Sequence, residues 1–401
     1  MEFMNRLSAL AIVVLFLGQG VAAEEFRFQY AEGTRYRILS QVDEKVYVNG
    51  LYSHTADILN KITIEVGDVA ASSGYLKAQF QTFERSQDSD SVYEWSREYT
   101  SEFWRDEFGA YDIEARYFMP VVRDVPRFPD REIESGDTWS AIGEEVHDLR
   151  DNFGIPDAFH FPIQVGYRYL GEEDLAGDVY DLISIDYTVF YRSIREYDAD
   201  MFPVKVSGYS HQLLYWDRSA GRPHHYSEEF DFIFDFNTGD SVEYVGVAEA
   251  TVHDAEEMDR EQVAEEIRDQ LEGANVENAD VRVSEDGVTV SIENIQFLPD
   301  SSILVAAEAE KLELIGEILA AYPQRDILIT GHTALAGTAP GRQALSEERA
   351  RAVGNYLLSL GVRTEDQIAT RGMGGREPIA DNSTEESMRR NRRVEITILE
   401  N

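Results

Sequence analysis

The chain has 401 residues, 43% hydrophobic, with no cysteine and a net charge of −40 from 36 Lys plus Arg against 76 Asp plus Glu. That length allows two or three domains with their own cores. Without cysteine there are no disulfides, no thiolate catalysis, no Cys-ligated zinc and no lipid-modified N-terminal cysteine, and so acidic a surface repels nucleic acid and anionic lipid headgroups.

The first segment reads as an export signal. Arg6 supplies a weak positive charge, Leu7 to Leu17 is an apolar run, and Val21-Ala22-Ala23 has the small residues a signal peptidase needs. Cleavage is expected after Ala23. The run is shorter than the roughly 20 apolar residues that span a bilayer.

Residues 24–250 read as β-rich and antiparallel, as a barrel or a sandwich. Lys61 to Val66 alternates, and so does Phe230 to Phe236, with Phe at 230, 232, 234 and 236 on one face. Asn49-Gly50 between two short apolar runs is a hairpin signal, because both turn positions need positive φ; Asn237-Thr238-Gly239 marks another turn. Alternation breaks between Pro120 and Pro162, so that stretch is expected to connect two halves of the region. Asp88-Ser89-Asp90 resembles the start of a calcium loop but lacks the required glycine and glutamate spacing. His224 and His225 are adjacent, so on a strand they face opposite ways and cannot share a metal.

Residues 251–275 are expected to form an acidic linker helix: Val263, Ile267 and Leu271 recur every four residues, followed by Gly273. From 276 to 401 the period switches repeatedly. Val288 to Ile292 is a strand; Leu312, Ile315 and Leu319 mark a helix; Ile327 to Thr330 is a strand ending at Gly331. A second helix runs through Ala350, Val353 and Leu357 to Gly361, then Ile368 to Thr370 and the alternating Val394, Ile396 and Ile398 form strands. Helices packed on a mixed sheet, in a βαβαβ order, are the predicted architecture, and the segment is expected to fold alone.

Here the chemistry-bearing motifs lie. A strand ends at Gly331, a loop follows, and a helix is expected to begin near Ser346, capped by it, with Arg349 in the first turn facing the loop mouth. Ligand sites in α/β sheets gather where strands end and helices start, and a guanidinium there grips a carboxylate with two hydrogen bonds. Residues 331–401 hold ten Arg, no Lys and ten Asp plus Glu, so this segment is neutral and the rest carries the whole −40. An anionic ligand is tolerated here and nowhere else. Arg389, Arg390, Arg392 and Arg393 pair either with such a ligand or with neighbouring acids.

Ile329-Thr330-Gly331-His332-Thr333, then Leu345-Ser346-Glu347-Glu348-Arg349-Ala350, then Asn391-Arg392-Arg393-Val394-Glu395-Ile396 resemble, in order and spacing, the OmpA-like peptidoglycan-associating domain. The loop Thr333-Ala334-Leu335-Ala336-Gly337 looks most like spirochaete members. The resemblance implies a pocket for the peptidoglycan stem peptide, with His332, Thr333, Ala334, Arg342, Arg349 and Asn391 at the ligand-binding positions. Arg349 matches the family arginine. Ala334 stands where the family has an aspartate and Arg342 where it has an asparagine, so half of the usual clamp on a diamino acid is missing.

The sequence reading is therefore a multi-domain exported protein of the periplasm, associated with the cell wall, with a tethering role and a further envelope protein as a partner. No enzyme activity and no cofactor are expected, since no catalytic site is assembled. Two alternatives remain for the β-rich region: an outer-membrane barrel and a periplasmic carrier of an apolar ligand.

Overall fold

Hairpin chemistry builds the first region. The computed structural model describes residues 24–400 apart from 87–91, 196, 275, 277, 285, 294 and 296–303; the export signal and Asp88-Ser89-Asp90 lie outside the described residues. Strand β1 (Arg35–Val48) turns into β2 (Leu51–Ala70) at Asn49-Gly50. Both turn residues have positive φ, 53° and 73°, the twist a two-residue hairpin requires. β3 (Ser73–Ser86) and β4 (Tyr93–Arg105) continue the meander, and β5 (Tyr111–Ile113) and β6 (Val122–Arg123) are short.

A second meander follows: β7 (Thr138–His147), the one-turn helix α1 (Arg150–Phe153), β8 (Phe159–Leu175), β9 (Asp178–Arg192), β10 (Pro203–Asp217), β11 (Arg222–Phe236) and β12 (Ser241–Asp254). β12 returns to lie antiparallel against β1, with Val42 opposite Ala248. The two meanders thus share one sheet in the order β4-β3-β2-β1-β12-β11-β10-β9-β8-β7.

Two expectations are corrected here. Among the described residues the region forms neither a two-sheet sandwich nor a barrel closed by backbone hydrogen bonds, but one open sheet that curls until β4 and the end of β7 meet through side chains. Tyr99 donates its hydroxyl hydrogen to Asp148 at 2.9 Å, and Arg97 lies 3.7 Å from Asp151. Nor is 120–162 a plain connection: it contains β7, and Pro162 sits inside β8. The missing N–H is tolerated because Pro162 has β7 on one side only; pairing of β8 with β9 begins at Val165.

The inner face of the curl is apolar and aromatic at one end. Trp216 is fully buried, edge-on to Phe28 and Phe128 at 4.9 and 4.8 Å between centroids, pairs that contribute about 0.5–1.5 kcal/mol each beyond their buried area. Arg105 is buried there too, 4.0 Å over the Phe28 ring, donating to the Tyr30 hydroxyl at 2.9 Å. The outer face of β8 and β9 is mixed: His160, Gln164, Arg168, Asp186 and Thr188 are exposed between buried neighbours, and Leu170, Val179 and Phe190 are exposed too.

The second region begins with α2 (Arg260–Gly273), capped by Asp259, which accepts from the Gln262 N–H. There follow β13 (Ala279–Ser284), β14 (Gly287–Glu293), α3 (Ala306–Leu319), β15 (Ile327–Gly331), α4 (Ala339–Ser359), β16 (Ile368–Gly372), α5 (Glu385–Asn391) and β17 (Arg393–Leu399). The sheet runs β13-β14-β17-β15-β16, with β15 and β16 parallel and the other pairs antiparallel. One face packs on the helices: Ile292, Ile315, Ile329, Leu357 and Ile396 share a core with Ile267 and Leu271 of α2. The joining segment is therefore also part of this core.

The other face of that sheet lies on the outside of the first curl. Leu328, Ala369 and Leu399 pack with Leu59, Phe83 and Tyr93, and β16 runs parallel to β4, with Ala369 opposite Tyr93. All strands therefore form one 17-stranded sheet. Ion pairs cross the same boundary. Asp326 binds both Arg37 and Lys61, the latter at 2.6 Å, and all three side chains are at most 8% exposed. Glu400 binds Arg35 at 2.7 Å and also Arg260.

Candidate functional site

The pocket region is built where β15 and β16 end against α4. Gly331 and Gly372 close these strands because helix backbone leaves no room for a side chain. A Cβ at Gly331 would stand 2.1 Å from the Ser346 carbonyl oxygen, and one at Gly372 would stand 2.7 Å from the Glu347 nitrogen. Ser346 is fully buried; its hydroxyl donates to the Gln343 carbonyl at 2.7 Å and accepts from the Gly374 N–H at 2.8 Å.

This corrects the expected helix start. α4 begins at Ala339, capped by Thr338, whose hydroxyl accepts from the Gly341 N–H, with Pro340 in the first turn. Ser346 is a strut in mid-helix, and Arg349 lies more than two turns into α4. The Thr338-Ala339-Pro340 sequence is the start signal that the motif obscured.

Each predicted site residue has a definite place. His332 and Thr333 follow β15 directly and are buried, 2% and 6% exposed. The Thr333 N–H donates to Gly374 O at 2.7 Å. The Thr333 hydroxyl oxygen and both His332 ring nitrogens have no hydrogen-bond partner, although His332 Nε2 stands 3.5 Å from Glu395. Burial pushes the His332 imidazole below its usual range, against the pull of Glu395. Burial opposes the Glu395 charge, yet His332 and Arg393 hold its carboxyl at about 2. Orphaned polar atoms this deep are uncommon in folded proteins.

Ala334 is buried, 4% exposed. The loop after it is pinned by the Leu335 N–H donating to Asn382 Oδ1 at 3.0 Å. Asn391 is fully buried and braces that second loop: its Oδ1 accepts from the N–H groups of Ile379 and Ala380 at 2.9 and 3.0 Å, and its Nδ2 donates to Ala380 O and Asn382 Oδ1. Asn391 thus acts on the mouth through Asn382, which sequence reasoning missed. Arg342 is half-buried, donating to Gly337 O at 2.6 Å.

Arg349 is half-buried on α4. Burial lowers its pKa, and so does the nearby Arg392. Of the four late arginines, Arg389, Arg390 and Arg392 contact Glu385, Glu293 and Glu385 at 3.9, 3.3 and 2.6 Å, and Arg393 is buried 2.7 Å from Glu395. All four pair with acids. Among the other sites weighed, His224 stacks on Tyr180 at 4.2 Å while His225 lies 2.9 Å from Glu249.

Strand ends, a capped crossover helix and buried polar atoms define an α/β module set on a larger β scaffold. The OmpA family pattern matches residues 296–392. The Peptidoglycan-associated lipoprotein of Pseudomonas aeruginosa is 34% identical over 124 residues, covering 31% of this chain and 73% of that protein. The chain belongs to the OmpA family. The Probable lipoprotein YiaD of Escherichia coli is 35% identical over 133 residues, 33% of this chain and 59% of that protein. The match thus spans little more than half of that relative's length. Among solved structures, an outer membrane protein from Borrelia burgdorferi is 38% identical, covering 30% of this chain and 96% of that one, with a TM-score of 0.25.

Proposed function

We propose that this is an envelope protein that associates non-covalently with peptidoglycan through its C-terminal domain, in a structural rather than catalytic role. The buried Thr333 hydroxyl and His332 Nδ1, left without hydrogen bonds at the end of β15, carry this reading. A bound ligand supplies partners that the fold withholds. Arg349 provides the charge for a stem-peptide carboxylate, and its closeness to Arg392 makes an added anion favourable. The similarity to a peptidoglycan-associated lipoprotein supports the same ligand class.

The amine of a diamino acid has no carboxylate at Ala334, so diaminopimelate-type peptides bind weakly. Charged and polar residues such as Arg168 and Asp186 recur among the exposed side chains of β8 and β9, and the relative named as peptidoglycan-associated favours a location at the cell wall in the periplasm. Cosedimentation of the full chain with purified sacculi tests the proposal. Retention that is lost in Arg349→Ala is expected; no retention, or retention indifferent to that change, contradicts it.

A further inference from the structure

The aromatic core does not fill the whole concave side of the first sheet. A cavity of about 520 Å³ remains beside it, walled by β1–β4 on one side and by β7, β9, β11 and β12 on the other. That volume lies in the range of small-molecule sites. One wall is the alternating run of β11, with Phe230, Phe232 and Phe234 facing inward. Such a wall is suited to an apolar chain.

The same space holds Glu44, Glu84, Glu145 and Glu228. Glu145 is 2% exposed. Its Oε2 meets His147 Nε2 at 2.9 Å, while Oε1 has no hydrogen-bond partner. Tyr187 is a further neutral donor beside Glu145, and its hydroxyl pKa is raised by burial, by the charges of Glu145 and Glu228 and by its hydrogen bond to Glu145. Glu228 is met by neutral donors, Ser210 at 2.6 Å and Gln212 at 3.1 Å, and Glu84 by the Ser96 hydroxyl at 2.7 Å. The guanidinium in the lining already has an acid, since Arg97 lies 3.7 Å from Asp151. Asp148, also in the lining, is held by Arg150 at 2.6 Å. A buried carboxylate oxygen without a donor calls for a cation.

We propose that this cavity binds an amphipathic amine, its apolar chain against the β11 phenylalanines and its ammonium at Glu145 and Glu228. The charge pattern selects among apolar ligands. A neutral amphiphile leaves Glu145 Oε1 unmatched, and an anionic one meets an acidic lining. Aromatic faces beside the acids add cation–π attraction for the same head group.

Calorimetric titration of the full chain with decylammonium, decanol and decanoate, each below its micellar concentration, tests this. Decylammonium is expected to bind about tenfold or more tighter than decanoate. Glu145→Gln should weaken the amine about tenfold and leave decanol unchanged; Phe232→Ala should weaken both. If circular dichroism shows Glu145→Gln misfolded, Glu228→Gln and the head-group comparison on the unaltered chain decide. Binding of none of the three, equal binding of decanoate and amine, or amine binding untouched in both glutamate variants overturns the proposal.

Discussion

The N-terminal region covers a sheet face by curling the sheet on itself, whereas the C-terminal region covers one face with helices and lends the other to its neighbour. The consequence shows in what each leaves open. A curled sheet has a fixed circumference, so side chains that fill one end leave space at the other, where Phe232, Glu145 and Glu228 line the cavity. A helix-covered sheet closes tightly along its length, down to the strand ends, where Gly331 packs on the Ser346 backbone, and the loops that carry the motif residues follow there. The two regions therefore offer different sites, one inside a wall and one at an edge. They are joined by apolar packing, by β16 against β4 and by buried ion pairs, chief among them Asp326 with Arg37 and Lys61.

Breaking that joint should give the largest effect. Asp326→Ala leaves Lys61 and Arg37 buried without their acid, and should destabilise the chain by about 3–5 kcal/mol. A urea midpoint that falls at unchanged slope would show it; a shift below about 1 kcal/mol would mean that the two regions hardly depend on each other. Next in size is the contribution of α2. Ile267 is fully buried in the second core, so Ile267→Ala should cost about 2–5 kcal/mol. A fragment of residues 255–401 should melt cooperatively and one of 276–401 should not, because only the first keeps α2.

The regions should also answer pH with opposite signs. The buried His332 has a lowered pKa and Glu395 sits at about 2. Their stabilisation is present above their unfolded values, about 6.5 and 4.3, and is lost as pH falls through the folded ones. Glu44 behaves in reverse. Burial and the Glu84 charge raise it to about 7, so its contribution is fullest below about 4.3 and is lost as pH rises through 7. Stability measured between pH 4 and 8 should lose part of its rise with pH in His332→Gln, whereas Glu44→Gln should steepen that rise. Identical pH profiles for the two variants would refute the contrast.

Legibility in the sequence followed the same division. Ile327 to Gly331 and Val394 to Ile398 carry their own periods, and the second region could be read element by element. In the first region each strand was visible, but curvature was not, since it depends on which distant strands meet; β12 pairs with β1 across some two hundred residues. Local chemistry misled where it was atypical. Asn49-Gly50 declares its turn, while the hairpin between β2 and β3 turns on Ala71-Ser72, both at positive φ, 45° and 68°. Ser72→Gly should relieve this and stabilise by about 0.5 kcal/mol, the smallest effect foreseen, visible as a slightly raised melting temperature. At the candidate site, Arg349 and Ala334 were found by motif, whereas the strut role of Ser346 and the link from Asn391 to Asn382 depend on loops meeting in space.

Peptidoglycan association depends most directly on the motif residues at the end of β15, and one titration tests it. A defined diaminopimelate muropeptide added to the full chain should bind weakly. The double change Ala334→Asp with Arg342→Asn restores an acid for the amine and removes a competing guanidinium, and should tighten binding about tenfold to a hundredfold, the worth of one charge-assisted hydrogen bond. Arg349→Ala in that background should abolish it. Tight binding by the unaltered chain that survives Arg349→Ala would contradict the account and place the ligand elsewhere.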